Sequence, residues 1–274
     1  MNFVEDCLNK VKKDCYKFIK TQETYSDKFK NKDKMLKDYL VPMSFWIAKK
    51  TNFKKPYIVG LTGGQGTGKT TISSILMIIL KKYFKLNVFK ISIDDIYKTK
   101  KDRIKLSKKI HPLLLTRGVP GTHDISYMSS FIKKVNSKKF RSIILPKFDK
   151  AIDDRFAKNN WYKVNRKPDV IIFEGWCVGA KSESLKTLNK SVNTMEKNDD
   201  NKLIWRKYVN TQLKKGYKRL YSKLDCLLFL RAENFSLLQK WRVVQEKKLK
   251  LKNKNKKTKQ KIMTKKEVLN FMQT

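Results

Sequence analysis

The sequence predicts an α/β fold with a mostly parallel central sheet, helices on both of its faces and an N-terminal helical extension. Short apolar runs at 57–62, 86–93, 141–145, 170–173 and 224–230 read as strands, and stretches with helical spacing lie between them. A glycine-rich run directly follows the first of these strands and opens a helix. At 274 residues and 40% hydrophobic content, the chain can bury one sizeable core. The division expected is a helical extension over 1–52 packed on an α/β unit over 53–274.

Taken in order, Phe3, Val4, Cys7, Leu8 and Val11 recur at helical spacing, as do Met35, Leu36, Tyr39 and Leu40, and Pro42 is expected to interrupt the helix before Phe45. Tyr57-Ile58-Val59-Gly60-Leu61-Thr62 is near-continuously apolar, as a strand buried on both faces must be. The stripe Ile72, Ile75, Leu76, Ile79, Leu80 and Tyr83 marks the next helix, over 70–84. Further helices are expected over 125–135, 205–221 and 235–249. Thr264-Lys265-Lys266-Glu267 is a capping box that opens a short helix toward Phe271.

Composition excludes several classes. The hydrophobic content and the 11% aromatic residues argue against global disorder. No apolar run approaches the roughly 18–20 residues of a membrane span, so no membrane partner is expected. The four cysteines are scattered without a C-x-x-C pair, which fits a reducing, cytoplasmic setting rather than a disulfide framework or zinc ribbon. The net charge of +41 has two readings. Lysine supplies 56 of the 65 basic residues and is spread over nearly every polar segment, as generic surface would be. Polyanion binding is the other reading, but arginine is scarce and no specific nucleic-acid partner is expected. The densest run, residues 247–261 with 9 Lys in 15, reads as a solvated loop.

The strongest chemical signal is Gly63-Gly64-Gln65-Gly66-Thr67-Gly68-Lys69-Thr70, followed by Thr71. It matches G-x-x-x-x-G-K-[ST] in full and lies between a strand and a helix, so the α/β fold is a P-loop NTPase fold. Glycines let backbone N–H groups converge on phosphate oxygens, and the helix N-terminus adds free donors. A nucleoside triphosphate is therefore the expected ligand, with Lys69 on its β- and γ-phosphates and the Thr70 hydroxyl on Mg²⁺. Ser92-Ile93-Asp94-Asp95-Ile96-Tyr97 places two carboxylates at the carboxyl end of the second strand, the edge where such sheets bind ligands. A carboxylate there can take the proton of an attacking hydroxyl, or it can cap the next helix. Strand alternation turns Asp94 toward the phosphate edge and Asp95 away from it. Glu174, at the end of another apolar strand, is a candidate for Mg²⁺ or substrate, or simply a strand-end acid. Arg117, Arg155 and Arg242 suggest fork geometry toward carboxylate or phosphate, or structural ion pairs. His111 and His123 lack metal-ligand spacing and read as hydrogen-bonding groups of a structured loop.

The string from the P-loop through Ser92-Ile93-Asp94-Asp95, Arg117-Gly118-Val119-Pro120-Gly121-Thr122-His123-Asp124, Pro146-Lys147-Phe148-Asp149-Lys150, Glu174-Gly175-Trp176 and Trp241-Arg242 resembles the D-glycerate 3-kinase family. More broadly it is similar to the phosphoribulokinase, uridine kinase and pantothenate kinase group. The resemblance covers about Tyr57 to the C-terminus. It implies ATP, Mg²⁺ and phosphorylation of a small hydroxyl substrate, a hydroxy acid such as glycerate, with Asp94 in the position of the group's general base. On that reading Asp95, Tyr97, Arg117, His123, Asp124, Arg155 and Glu174 line the substrate, Arg117 and Arg155 being candidates for its carboxylate, and Arg242 is a lid residue. Two departures stand out: Ile96 replaces the family's aromatic residue, and the family usually continues a few residues past Thr274 with another aromatic. The alternatives are a same-fold kinase of another alcohol, such as a nucleoside or pantothenate, and a nucleic-acid-binding P-loop ATPase.

Overall fold

The structure is a computed structural model that describes residues 3–25, 28–253 and 264–272. Helix α1 (Phe3–Gln22) is followed by a continuous rod made of α2 (Lys32–Lys34), a π-helical turn (Met35–Leu40) and α3 (Val41–Lys50). Pro42 does not interrupt this rod. It falls in the first turn of α3, and the Val41 N–H just before it donates to the Leu36 carbonyl five residues back. The wider turn absorbs the missing proline donor.

Strand β1 (Tyr57–Gly63) leads through the glycine loop into α4 (Lys69–Lys82), then β2 (Val88–Ser92) and α5 (Lys100–Lys109). After α6 (Ile125–Val135) come four short strands, β3 (Ile143–Leu145), β4 (Phe148–Asp149), β5 (Asp154–Arg155) and β6 (Tyr162–Val164), and then β7 (Val170–Glu174). Small helices α7 (Leu185–Leu188) and α8 (Thr194–Asp199) precede α9 (Ile204–Gln212). A π-turn (Leu213–Tyr217) joins α9 to α10 (Lys218–Tyr221), and β8 (Cys226–Leu230), α11 (Phe235–Asn253) and α12 (Lys265–Phe271) complete the described chain.

The central sheet has four strands in the order β2-β7-β1-β8, and all its pairings are parallel. Side chains alternate between its faces. Val170 and Ile172 of β7 join the cluster built with α1, α3 and α4, whereas Ile171 and Phe173 join the cluster built with α6 and α10. Both faces are therefore covered over β1 and β7, as their continuous apolar runs require, whereas the edge strand β8 leaves Leu227 and Phe229 exposed. The run at 141–145 is a correction: β3 pairs antiparallel with β6 outside the central sheet. Its burial alternates, with Ile144 exposed between Ile143 and Leu145, so it is a one-faced ribbon. The part of the lysine run at 247–253 also differs from expectation, because it continues α11 rather than forming a loop. The remainder of that run lies outside the described residues.

Crossover connections put the ligand edge where the carboxyl ends of β1, β2 and β7 meet. Leu61 and Ser92 each pair with Glu174 across the sheet, so the three strand ends lie level. Among the described residues no helix is long and apolar enough to cross a membrane.

Candidate active site

The phosphate loop runs from Gly63 to Gly68, and Lys69 and Thr70 open α4. Gly66 has φ 84°, and a Cβ there would lie 2.7 Å from the Trp241 Cβ of α11. Only glycine fits under that helix. Thr67 ties the loop by donating its hydroxyl to the Gly64 carbonyl at 2.8 Å. The Lys69 ammonium is folded back on the Gly63 and Gly64 carbonyls, 2.8 Å from each. Burial pulls its pKa down, and the charges of Glu174 and Asp94 oppose that pull. Thr71 lies in the first turn of α4.

Glu174 ends β7 and is buried, yet it faces polar partners. The Thr70 hydroxyl donates to its Oε1 at 3.0 Å, and the Ser73 hydroxyl lies 3.4 Å from Oε2. Burial raises the Glu174 pKa, opposed chiefly by the Lys90 charge, the Thr70 hydrogen bond and Lys69. Lys90, inside β2, donates to the Ser74 hydroxyl at 2.7 Å. Sequence reasoning passed over this lysine, although its place in the apolar run Val88-Phe89-Lys90-Ile91 was a visible signal.

Strand β2 ends at Ser92, one residue earlier than expected, and Asp94 and Asp95 lie on a single 3₁₀ turn, Ile93–Ile96. Strand alternation therefore does not separate them; capping does. The Ser92 N–H donates to the Asp95 carboxylate, and the Ser92 hydroxyl accepts the Asp94 N–H, a closed capping box. The Tyr162 hydroxyl also donates to Asp95. Asp94 instead accepts the Tyr97 hydroxyl on Oδ1 at 2.9 Å and the Lys150 ammonium on Oδ2 at 2.7 Å. Burial pushes the Asp94 carboxyl up, but Lys150, His123 and Tyr97 together outweigh it and hold it below its usual value.

The loop before α6 closes over this turn. Tyr97 and His123 form a bridge, and their rings stack at 4.5 Å between centroids. The buried Tyr217 hydroxyl accepts the Gly121 N–H at 2.9 Å and lies 2.8 Å from His123 Nδ1. His123 Nε2 has no partner among the described residues, and burial lowers the ring pKa to about 4, so the imidazole is neutral. No sequence signal singled out Tyr217, whose place is set by the π-turn after α9. His111, the other loop histidine, accepts the Leu113 N–H as expected.

The arginines are partly committed. Arg117 pairs with Asp153, and its guanidinium lies over Phe148 at 5.5 Å. Arg155 donates to the Tyr97 carbonyl at 2.8 Å and to Asp124 at 3.3 Å. Arg103, which the sequence did not single out, is fully buried and donates to the carbonyls of Leu115 and Asp153. Arg242 donates to Gln65 at 3.0 Å and pairs with Glu246 at 2.6 Å, while its buried Nη1 has no partner among the described residues. Lys69, Thr70, Asp94 and Glu174 thus share one edge. Tyr97, His123, Asp124 and Arg155 flank Asp94, Arg242 roofs the glycine loop, and Asp95 is turned into the cap.

A donor-rich loop with an unpaired Arg242 donor fits a nucleoside triphosphate, and a carboxylate on the same edge fits an attacking hydroxyl. Fold and site together define an ATP-dependent P-loop kinase. No protein-family model matches the chain. The chain is 31% identical over 226 residues to "Uncharacterized kinase mug58" of Schizosaccharomyces pombe, covering 80% of this chain and 78% of that protein. It is 27% identical over 194 residues to "D-glycerate 3-kinase, chloroplastic" of Arabidopsis thaliana, a match spanning 63% of this chain but 42% of that longer protein. The solved D-glycerate 3-kinase of Cryptococcus neoformans var. grubii superposes with a TM-score of 0.68 at 26% identity, over 86% of this chain and 83% of that one. The chain belongs to the D-glycerate 3-kinase-like family of P-loop kinases.

Proposed function

We propose that this kinase transfers the γ-phosphoryl group of ATP to a hydroxyl of a small hydroxy acid, D-glycerate by its resemblance to the glycerate kinases. The observation that carries the reading is Asp94: a carboxylate beside the phosphate edge, held on one oxygen by Tyr97 and flanked by the Arg155–Asp124 pair. The substrate oxygen forms a bond to the γ-phosphorus, the bridging bond to ADP breaks, and the hydroxyl proton passes to Asp94. Lys69 and the P-loop amides hold the phosphates. Thr70 and Glu174 are the oxygen donors suited to Mg²⁺, which when bound neutralises phosphate charge. Arg242, with a free donor over the loop, is placed to meet the transferring group. Arg117 and Arg155 remain the candidates for the substrate carboxylate, each by giving up part of its aspartate pairing.

The test is ATP consumption screened against D-glycerate, other hydroxy acids, sugars, uridine and pantothenate. D-glycerate is expected to be turned over in preference to the nucleoside and pantothenate, and Lys69→Ala is expected to abolish transfer without unfolding the protein. Turnover of uridine with indifference to glycerate would leave a kinase with another acceptor. A Lys69→Ala variant at wild-type rate would refute the phosphate-loop assignment.

A further inference from the structure

The turn between β4 and β5 is anchored with unusual care. Asp153 accepts from Arg103 through both its carbonyl and its carboxylate, and Arg117 pairs with the same carboxylate. Asp154 accepts the Lys100 N–H at 3.2 Å, and Arg155 reaches the Tyr97 carbonyl. Asp153 also has φ 58°, a left-handed conformation that aspartate tolerates better than most residues. All these contacts fix the backbone of the turn. From this turn Lys150 reaches the phosphate edge, its ammonium lying on Asp94 Oδ2 at 2.7 Å while the side chain stays 60% exposed.

That contact conflicts with the reaction. Tyr97 already occupies Oδ1 of Asp94, so with Lys150 on Oδ2 both oxygens are engaged, and a carboxylate so held is a weak base. Release of Oδ2 would raise the basicity of Asp94 toward the substrate proton. Lys150 can move because it is exposed and flexible, and its charge also bears on Lys69, which places it within electrostatic reach of bound phosphate. Arg117 and Arg155 sit part-buried in their aspartate pairs, whereas Lys150 is exposed, so Lys150 is the more readily transferred cation.

We propose that Lys150 is a further catalytic residue: it pairs with Asp94 and passes to an anionic oxygen of the bound reactants, freeing Asp94 as it does so. The oxygen belongs either to the transferring phosphoryl group or to the carboxylate of the acceptor. The inference rests on the reading of Asp94 as the base. It adds a gate to that reading, because the base is uncovered only when an anion has arrived to take the lysine.

Wild type, Lys150→Met and Lys150→Arg are compared with D-glycerate, with glycerol, which keeps the hydroxyls but lacks the carboxylate, and with water as acceptor. A phosphoryl contact lowers the Lys150→Met kcat by about 10²–10³-fold with every acceptor. A carboxylate contact raises KM for D-glycerate on the order of 10–100-fold, and it raises turnover of glycerol and water, which carry no carboxylate to draw Lys150 off Asp94 in the wild type. Either result supports the proposal, and Lys150→Arg should recover part of the loss. The pH profile separates this role from a structural one. Asp94 is faced by Lys150, by Tyr97 and Asp95 on its own turn, and by His123, Lys69, Glu174 and Cys177 from the surrounding elements. Only Lys150 is lost in the variant, so the acid limb of kcat/KM should move to higher pH. Unchanged or faster turnover of D-glycerate with an unmoved acid limb would overturn the proposal. If wild type ignores D-glycerate, the hydroxy-acid reading fails by itself, and the same comparison is decided on the alcohol that the screen finds and on water.

Discussion

Adjacent residues of one type acquire different work from the bonds they accept. Asp94 and Asp95 share a turn, yet one faces Lys150 and Tyr97 while the other closes a capping box. Asp94→Asn should lower kcat by about 10²–10⁴-fold with little change in ATP affinity, the usual cost of losing a general base. Asp95→Asn keeps an acceptor for the Ser92 N–H and should cost less. Single-turnover rates in the reverse order would transfer the base role to Asp95. His123 offers a second residue-scale outcome. Its pKa falls from 6.5 to about 4 in the folded protein because the ring is buried. Between those values the unfolded chain binds a proton that the folded one refuses, so stability drops as pH falls through that window. The drop is on the order of 3 kcal/mol at the acid end. Urea midpoints measured at pH 7 and pH 4.5 should therefore converge for His123→Gln and wild type as pH falls. Parallel pH dependences would show that His123 is not the group responsible.

Elements are positioned by close approaches that a sequence pattern hints at without locating. Gly121 in the loop before α6 has φ 103°, and a Cβ there would lie 2.6 Å from the Tyr208 ring of α9. Gly121→Ala combines a strained backbone with an overpacked contact, so a loss of about 1–3 kcal/mol in thermal or urea unfolding is expected. The same shift loosens the Gly121 N–H from Tyr217 and with it the seat of His123, so KM for the acceptor should rise more than KM for ATP. A variant with wild-type stability would show that the loop backbone relaxes freely. Glycines and prolines in the run Arg117–Asp124 announced a structured loop, but the helix that clamps it arrives some 85–100 residues later in the chain, beyond any local pattern.

At the scale of the molecule, the N-terminal helices and the sheet share one apolar cluster. Cys7, Val11, Cys15 and Ile19 of α1 pack in it with Ile75, Leu76, Ile79 and Leu80 of α4. If residues 1–52 fold with the rest, Ile19→Ala should lower the whole protein's stability by about 2–5 kcal/mol in one transition. Tryptophan fluorescence, with Trp176 and Trp205 far from the substitution in sequence, and far-UV circular dichroism should then give the same midpoint. Two separated transitions would make the extension a unit of its own.

The phosphate loop, the parallel strands and the acids at their ends were legible because each depends on residues within a few positions of one another. The spacing of Gly63 to Thr70 and the unbroken apolar runs of β1 and β7 carry their meaning locally. The antiparallel β3–β6 ribbon was not legible, since three residues beginning Ile143 look like any short apolar strand until a partner is chosen. Nor were the pairings that shape the site. Lys150 meets Asp94 across 56 positions, Arg117 meets Asp153 across 36, and Tyr217 meets His123 across 94. In a chain with 56 lysines, composition does not mark Lys150, and the run Pro146–Lys150 that carries the family resemblance singles out the segment without its partner. The sequence by itself determined that a phosphate-binding loop opens a parallel α/β sheet and that carboxylates stand at its edge. Only the tertiary structure decided that Asp95 closes the capping box and that Lys150 is the cation lying on Asp94, because an ion pair forms between groups that folding brings within a few ångströms, whatever their separation along the chain.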